Sequence, residues 1–467
     1  MPSGRSGFVL RLVPGARLRA RAGAAEIRLA DRRLEFQSAS PLLLRILRRL
    51  ARRGATAGEL SAMAKRAGRY GPPQWVALLA ELEDGCALCY EVAGKGWRAR
   101  LIPMASPYVA ALRDARRGRR VLSRFACVRR HRDGFIVESP LAFARVELSA
   151  RALPRLSALL GGRGATATGR TADSLAALLD AAGLLTGRGT DGRAAEDRNP
   201  ALRTWEFADL LFHARSRLGR HDAPMGATFE FLGRLKPLPA VKPVMAGAIR
   251  LPRPDLRAVE RRDPSLTRAL EQRRSVRDGA TALTVAQLGE FLFRVARVRS
   301  RRRAGTRLPY ETTSRPYPSG GACYPLELYL AVSRTPGLAP GLYHYDPLGH
   351  RLETVEGGAA QVGPLLLDTR QGFRPGAEPV LIVITARFAR VAWKYRSMAY
   401  SVLLKDVGVL MQTMYLVATA MGLAPCAVGC GDAERSTRAL GTAFAAESSV
   451  GEFLLGGSTG SDEHAAR

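Results

Sequence analysis

The chain has 467 residues, of which 46% are hydrophobic and 24% charged, ordinary proportions for a folded protein. That length allows roughly two to four domains, and the composition excludes wholesale disorder. The net charge is +31, from 72 Lys+Arg against 41 Asp+Glu, a balance that points to nucleic acid or an anionic membrane surface. Lysine occurs only at Lys65, Lys95, Lys236, Lys242, Lys394 and Lys405, so nearly all the cations are arginine. Arginine, alanine and glycine rise together in GC-rich coding sequence, so the charge alone does not decide the partner.

In chain order, the apolar run Phe8-Val9-Leu10 meets Arg11 too early for a secretory h-region. The first half then reads as a degenerate repeat. Arg53-Gly-Ala-Thr-Ala57 recurs as Arg163-Gly-Ala-Thr-Ala167. Each copy follows a β-like run, Arg33–Gln37 or Gly134–Glu138, and then helical leucines, Leu43, Leu44, Leu47 and Leu50 or Leu153, Leu156, Leu159 and Leu160. A second leucine-bearing helix follows, closed by Asp84-Gly85 or by Gly183. The order strand, helix, turn, helix, helix, strand is the outline of a small winged-helix unit, present twice, over 1–100 and 101–195.

A helix with an apolar face is expected over 205–220, and Pro237, Pro239, Pro243, Pro252 and Pro254 make an extended connector within 196–262. From 263 the pattern is α+β. Asp263-Pro264 opens a short helix over 264–272, and Thr284-Val-Ala-Gln287 is a capping box ahead of a helix. Strands are expected at Leu326–Val332, 342–345, 351–355 and 380–385, with a turn at Asp346-Pro-Leu-Gly349. A long helix over 398–423 is apolar on most of its surface, so it is expected to be buried, against a second subunit among the options. It contains Lys405, Asp406 and Gln412, so neither a membrane span nor a membrane partner is expected.

The cysteines are too few for a disulfide scaffold. Cys86-Ala-Leu-Cys89 and the Cys426/Cys430 pair lack zinc partners at matching spacing, so ordinary thiols, no metal site and a reduced, cytoplasmic setting are expected.

Four short segments carry chemistry. Arg273-Arg274-Ser275-Val276-Arg277 sets several guanidiniums and a hydroxyl where a phosphate monoester accepts bidentate bonds, or is a solvated basic run. Pro318-Ser319-Gly320-Gly321 leaves backbone N–H groups open to a planar or anionic ligand, or is a plain turn. Trp393-Lys394-Tyr395-Arg396 flanks a rare lysine with a phenol and a guanidinium; the neighbouring cation and partial burial predict a pKa depressed from about 10.4 toward a usable base, or the residue is a snorkelling surface lysine. Ala427-Val-Gly429-Cys-Gly431-Asp432 lines a ligand or reverses the chain.

As an ordered set, these segments with Tyr324-Pro-Leu-Glu, Gly341-Leu-Tyr-His-Tyr-Asp-Pro and the Gly408-x3-Gln412 spacing resemble the nitroreductase-fold flavoproteins of the SagB type, the azoline dehydrogenases of ribosomal-peptide biosynthesis. The Phe212-His-Ala-Arg-Ser-Arg segment strengthens the likeness, which covers about residues 203–457. The resemblance implies an α+β fold with a C-terminal nitroreductase-like domain over 263–467 that binds FMN at a homodimer interface. It implies Arg273, Arg274, Ser275 and Arg277 at the phosphate and ribityl end. Pro318, Ser319, Gly320 and Gly321 are expected along the isoalloxazine with Gly429 and Gly431 nearby, and Gln412 on the long helix. Lys394 and Tyr395 match the family's proton-transfer pair: a base takes the acidified Cα proton of a thiazoline or oxazoline while hydride passes to the flavin.

Winged-helix units of such proteins resemble precursor-peptide recognition elements, which bind a leader as an added strand. Arg33–Gln37 and Gly134–Glu138 are therefore the expected docking edges, with a precursor peptide and a cyclodehydratase as partners. DNA binding is the weaker reading of the front half, despite Arg116-Arg117-Gly-Arg-Arg120 and Arg129-Arg-His-Arg132. The sequence departs from the family at Val409 and Thr413, where His and Asn are usual, and at Lys405, where many members are acidic. Arg467 is the one late basic residue for a phosphate. A small-molecule oxidoreductase and a flavin-less peptide scaffold remain as alternative readings.

Overall fold

Alternation of charged and apolar residues builds the front of the molecule. In the computed structural model, Arg17–Arg21, Ala24–Arg28 and Arg33–Gln37 form a three-stranded antiparallel meander in that order. Its inner face carries Ala25, Ile27 and Phe36 into the core, and its outer face exposes Arg17, Arg19 and Arg21. The structure describes residues 7–21, 23–30, 32–106, 108, 120–161, 170–244, 247–277, 281–368, 379–429 and 431–457. Arg163–Ala167, Arg116–Arg119, Cys430 and Arg467 lie outside them. The chain divides into two compact units, Met1–Pro224 and Met225–Arg467.

In the first unit, Ser40 caps the helix Pro41–Arg52 by accepting the Leu43 N–H (3.3 Å), and Leu42, Leu44, Ile46, Leu47 and Leu50 face inward. Thr56 and Glu59 form a capping box that starts a helix over Ala57–Arg66, followed by the helix Gly71–Asp84. Gly71 is required there, because a Cβ would overlap the Ala64 carbonyl of the preceding helix.

The second repeat shows Leu153–Gly161 and Arg170–Ala181 as helices at the expected places. The two repeats share one seven-stranded sheet, ordered Ala55–Thr56, Val9–Leu12, Leu88–Gly94, Trp97–Pro103, Ala144–Ser149, Gly134–Glu138, Cys127–His131. Two expectations change. The division at 100/101 falls inside the strand Trp97–Pro103, which pairs with Ala144–Ser149 of the second repeat. Gly134–Glu138 is not an edge: Ala144–Ser149 bonds one side and Cys127–His131 the other, so no backbone groups remain for an added strand. Arg33–Gln37 does end its sheet. The helix expected over 205–220 spans only Phe207–Arg215, tied to the sheet by an Arg215–Glu138 ion pair.

The second unit is an antiparallel seven-stranded sheet ordered Ala248–Arg250, Arg351–Thr354, Gly341–Asp346, Leu326–Val332, Val380–Arg387, Glu447–Gly456, Ala424–Val428. Helices Val285–Ala296 and Ala399–Ala420 bury apolar stripes on one face, where Leu292, Leu403, Leu410 and Met414 meet Leu328, Ile382 and Phe453. Val362–Asp368 and Ala433–Leu440 flank the other face. The short helix begins at Leu266, not 264, because Ser265 rather than Asp263 caps it. The long helix is long and apolar enough to cross a membrane by length and composition alone. Its buried stripe nevertheless packs on the sheet, while Tyr400, Leu404 and Val409 stay exposed.

A charged cluster lies buried on strands of this sheet. His344, 2% exposed, sits between Glu327 (3.2 Å) and Glu353 (3.0 Å), and Arg387 donates to Glu327 (3.1 Å). Burial works to lower the His344 pKa, but the hydrogen bond and charge of Glu327, with Glu353 opposite, outweigh it and raise it; His344 in turn helps lower that of Glu327 against the effect of burial. The His344 contribution is therefore complete below its unfolded pKa of about 6.5 and is lost as pH rises through the higher folded value; that of Glu327 is lost on acidification through its lowered folded value. His344→Gln is expected to cost about 3 kcal/mol at pH 6 and clearly less at pH 9. Urea unfolding at both pH values checks this, and an equal loss at each contradicts the charged state assigned to His344.

Candidate functional site

The glycine segment sits immediately before the central strand Leu326–Val332, and one carboxylate holds it there. Ser319 Oγ donates to Asp406 Oδ2 (2.6 Å) and the Gly320 N–H donates to Asp406 Oδ1 (3.0 Å). The Tyr324 N–H donates back to Ser319 Oγ (2.9 Å), closing a tight loop with Gly321 in the left-handed region at φ 61°. Asp406 is 5% exposed; burial raises its pKa against the two donors. Pro318 is exposed at the loop's leading edge.

Lys394 reaches this loop from the other side. The strand Val380–Arg387 runs into a short helix, Phe388–Ala392, which turns Lys394 inward to 8% exposure. Its Nζ donates to Tyr310 Oη (2.6 Å) and lies 3.4 Å from the Gly321 carbonyl oxygen, which also accepts from Tyr310 Oη (2.7 Å). The Tyr395, Tyr310 and Phe229 rings surround the ammonium at 4.9, 5.0 and 5.9 Å. A Cβ at Gly321 would overlap both Lys394 Nζ and Tyr395 Oη, so a larger residue would displace the ends of the pair as well as strain the left-handed backbone.

The expected depression of the Lys394 pKa is wrong. Burial does act to lower it, but the hydrogen bond to Tyr310, together with Tyr310 and Tyr395 at close range, raises it above the ordinary lysine value. The adjacent Arg396 points away to Glu230 (2.5 Å) and leaves the ammonium unopposed.

Three contributors escaped the sequence reading of this site's roles. Tyr310 precedes the glycine segment without any motif of its own. Asp406 enters the sequence reading only as one of three polar residues of the long helix, next to Lys405, which is exposed. Phe229 comes from the stretch read as a connector: Gly226–Ala227 pair with Tyr395–Arg396, the Phe229 N–H donates to the Lys394 carbonyl (3.1 Å), and Trp393 Nε1 donates to the Leu235 carbonyl (2.8 Å). Phe229 holds φ at 51°, a strained value for an aromatic residue.

The Arg-Ser segment forms a second group. Ser275 Oγ lies 2.7 Å from Tyr415 Oη, which accepts from the Ala427 N–H (2.8 Å), and the Val276 N–H donates to the Pro425 carbonyl (2.8 Å). The Arg273 guanidinium lies over the Tyr415 ring at 5.4 Å, while Arg274 and Arg277 are exposed. None of these three arginines meets a carboxylate among the described residues. Gly429 is exposed nearby in sequence, and Gly431 abuts the buried Glu452 carboxyl, which a Cβ would overlap. Gln412 is exposed on the long helix and is not drawn into either group.

Asp406 and Tyr415 are nine residues apart on one helix, which places them about 180° apart around the axis and about 13 Å along it. One chain therefore presents the Gly–Lys–Tyr group and the Arg–Ser group on opposite flanks of the same helix. Elsewhere, burial pushes the Cys89 thiol up to about 12, far from a metal-binding thiolate at neutral pH.

Residues 270–456 match the model of the Nitroreductase family. The second unit contains a nitroreductase-like domain, and the chain is an oxidoreductase. Residues 120–222 match a second family, described as cyanobactin oxidase ThcOx. The chain aligns with the putative nitroreductase MJ1384 of Methanocaldococcus jannaschii at 29% identity, over 40% of this chain and 86% of that protein. The microcin B17-processing protein McbC of Escherichia coli is 35% identical over 23% of this chain and 42% of its own length. The trifolitoxin-processing protein TfxB of Rhizobium leguminosarum bv. trifolii is 32% identical over 23% of this chain and 30% of its own. In the E. coli microcin synthetase McbBCD complex with truncated pro-MccB17, a chain overlaps 53% of this one at 20% identity with a TM-score of 0.34, over 91% of its own length.

Asp406→Ala removes the acceptor of both loop donors. The nitroreductase domain is expected to lose about 1–3 kcal/mol, and the Gly320 amide to exchange with deuterium at least tenfold faster. Unchanged exchange at Gly320 contradicts the latch.

Proposed function

We propose that the chain is an FMN-dependent dehydrogenase that converts peptide thiazolines and oxazolines to thiazoles and oxazoles. In this reading it acts as a homodimer on a ribosomally made precursor peptide, alongside a cyclodehydratase. The observation that carries the reading is the Lys394–Tyr395 pair set directly over Gly321 within a nitroreductase domain. The peptide-processing relatives support it, since the names of McbC and TfxB are those of toxin-processing proteins.

The residues fit FMN. Arg273, Arg274 and Arg277 are a standing positive charge without carboxylate partners among the described residues, the chemistry that a phosphate monoester satisfies. Gly321 is exposed, so the loop offers backbone there to a planar ring. Because the two groups occupy opposite flanks of the long helix, one chain does not bring both to the same FMN; two copies do, which supports the homodimer.

FMN supplies the hydride acceptor. Lys394 and Tyr395 manage the proton. Aromatising the ring removes a hydride from one carbon and a proton from Cα, and Lys394 Nζ, in the fraction of the chain where bulk water has taken its proton, would accept the Cα proton. The buried aromatic surround keeps water from the pair, and the Asp406 latch fixes the loop against which the substrate ring lies.

In the first unit, the open edge of Arg33–Gln37 is the proposed strand-addition site for the precursor peptide. The helix Gly71–Asp84, second of a helix-turn-helix pair, exposes Glu81 and Asp84 and contains no lysine or arginine, the wrong sign for a DNA groove.

Two measurements test this reading. FMN added to the purified chain is expected to bind and give flavin absorbance, and Arg273→Ala to weaken FMN about 10–100-fold while leaving riboflavin binding unchanged. An azoline-bearing peptide is expected to lose two hydrogens per ring, and Lys394→Ala to abolish that loss with flavin still bound. A chain that binds no flavin supports a scaffold, and one that oxidises small molecules but no azoline supports the small-molecule reading.

A further inference from the structure

The residue that places Lys394 is Tyr310, which belongs to none of the motifs. Its phenol accepts from Lys394 Nζ at 2.6 Å and donates to the Gly321 carbonyl at 2.7 Å, so it sits between the lysine and the glycine loop. The backbone around it is held by Arg390, itself 3% exposed. That guanidinium donates to the carbonyls of Glu311 (3.0 Å), Cys323 (2.7 Å) and Leu238 (2.7 Å), and so joins the Tyr310 loop, the glycine loop and the 226–244 stretch. Tyr310 is thus fixed by contacts that do not involve Lys394, whereas Lys394 takes its position from Tyr310.

We infer that Tyr310 is a positioning residue for the Lys394–Tyr395 pair, pinning Lys394 Nζ against the Gly321 carbonyl and holding it there as an ammonium. The inference rests on the proposed dehydrogenase role only for its activity readout. The Tyr310 hydroxyl proton ends on an amide carbonyl, which does not pass it on, so Tyr310 anchors the lysine without relaying its proton. Of the three ammonium hydrogens, one goes to Tyr310 and one faces Gly321, which leaves the third for the side where Tyr395 stands.

The groups facing Lys394 from each neighbouring element are few. Tyr310 and Tyr395 are the close hydrogen-bonding partners. The Cys323 thiol is buried beside the loop, and its pKa is raised by burial. Asp406 is engaged by Ser319 and Gly320, Arg390 by carbonyls, and Glu230 by Arg396. With the Tyr310 hydroxyl removed, burial, which favours the neutral amine, is opposed by Tyr395 alone.

The test is trace labelling of the whole chain with acetic anhydride across pH 7–11, each lysine read by peptide mass spectrometry. Exposed Lys95 is the internal reference. The midpoint of labelling, and not its rate, reports the proton on Lys394, so burial alone does not produce the result. In the native chain the Lys394 midpoint is expected above that of Lys95. Tyr310→Phe is expected to lower it by about one pH unit or more, and Tyr395→Phe by less. A native midpoint below that of Lys95, an unmoved midpoint in Tyr310→Phe, or a larger shift from Tyr395→Phe overturns the inference; the first is read on the native chain and holds even where Tyr310→Phe fails to fold. Labelling needs neither flavin nor substrate, so its failure is separable from failure of the dehydrogenase reading. Where azolines are oxidised, Tyr310→Phe is also expected to move the rising limb of the kcat pH profile to lower pH by the same amount.

Discussion

The nitroreductase domain depends on one buried carboxylate. Asp406 projects from the inner flank of the long helix and takes hydrogen bonds from Ser319 and Gly320, so the loop and the helix are one structural piece. A glycine pair is conformationally loose, and ordering it costs more backbone entropy than ordering any other residue type. The carboxylate supplies the enthalpic counterweight in a place where water does not compete. With the loop so fixed, the Gly321 carbonyl becomes a stationary acceptor for Tyr310, and Tyr310 a stationary acceptor for Lys394. The chain of dependence runs from helix to loop to phenol to ammonium.

This order explains which parts of the site were legible in the sequence. Lys394, Tyr395 and the glycine segment stand in recognisable local patterns, and the structure brings them together. Tyr310 and Phe229 are distant in sequence and owe their place to tertiary contacts, Arg390 for one and the pairing of Gly226–Ala227 with Tyr395–Arg396 for the other. The sign of the Lys394 pKa shift was read from the flanking arginine, which in space turns to Glu230; through-space phenols, absent from the local sequence, decide it.

The fold divides in the same way. Leu326–Val332 and the helix opened by the Thr284 capping box appear where periodicity and capping place them. Glu447–Gly456 was not anticipated, although it lies between two strands of the sheet: Glu447, Ser448, Ser449 and Glu452 read as solvent-facing, while the partners Lys242, Tyr329 and Thr385 that satisfy Glu447 come from remote segments. The edge assigned to Gly134–Glu138 failed because strand pairing is a property of the sheet. A run of five β-formers looks the same whether one neighbour or two will bond it.

The charge of +31 takes on a different meaning once the arginines are placed. Arg315, Arg387 and Arg390 are buried and directed at carbonyls or at Glu327, where the planar guanidinium ties together segments that share no regular secondary structure. Such residues raise the formal charge and contribute little to the outer field. The exposed arginines include two local groups, Arg17, Arg19 and Arg21 on the outer face of the front meander and Arg274 and Arg277 flanking Ser275, besides others such as Arg52, Arg53, Arg302 and Arg303. A nucleic-acid footprint calls for a continuous basic stripe along a groove-sized element. On the proposed function the first group stands on the sheet whose open edge would take a precursor peptide, and the second supplies the charge that the phosphate of FMN would meet, so each is local to its own unit and neither needs a stripe.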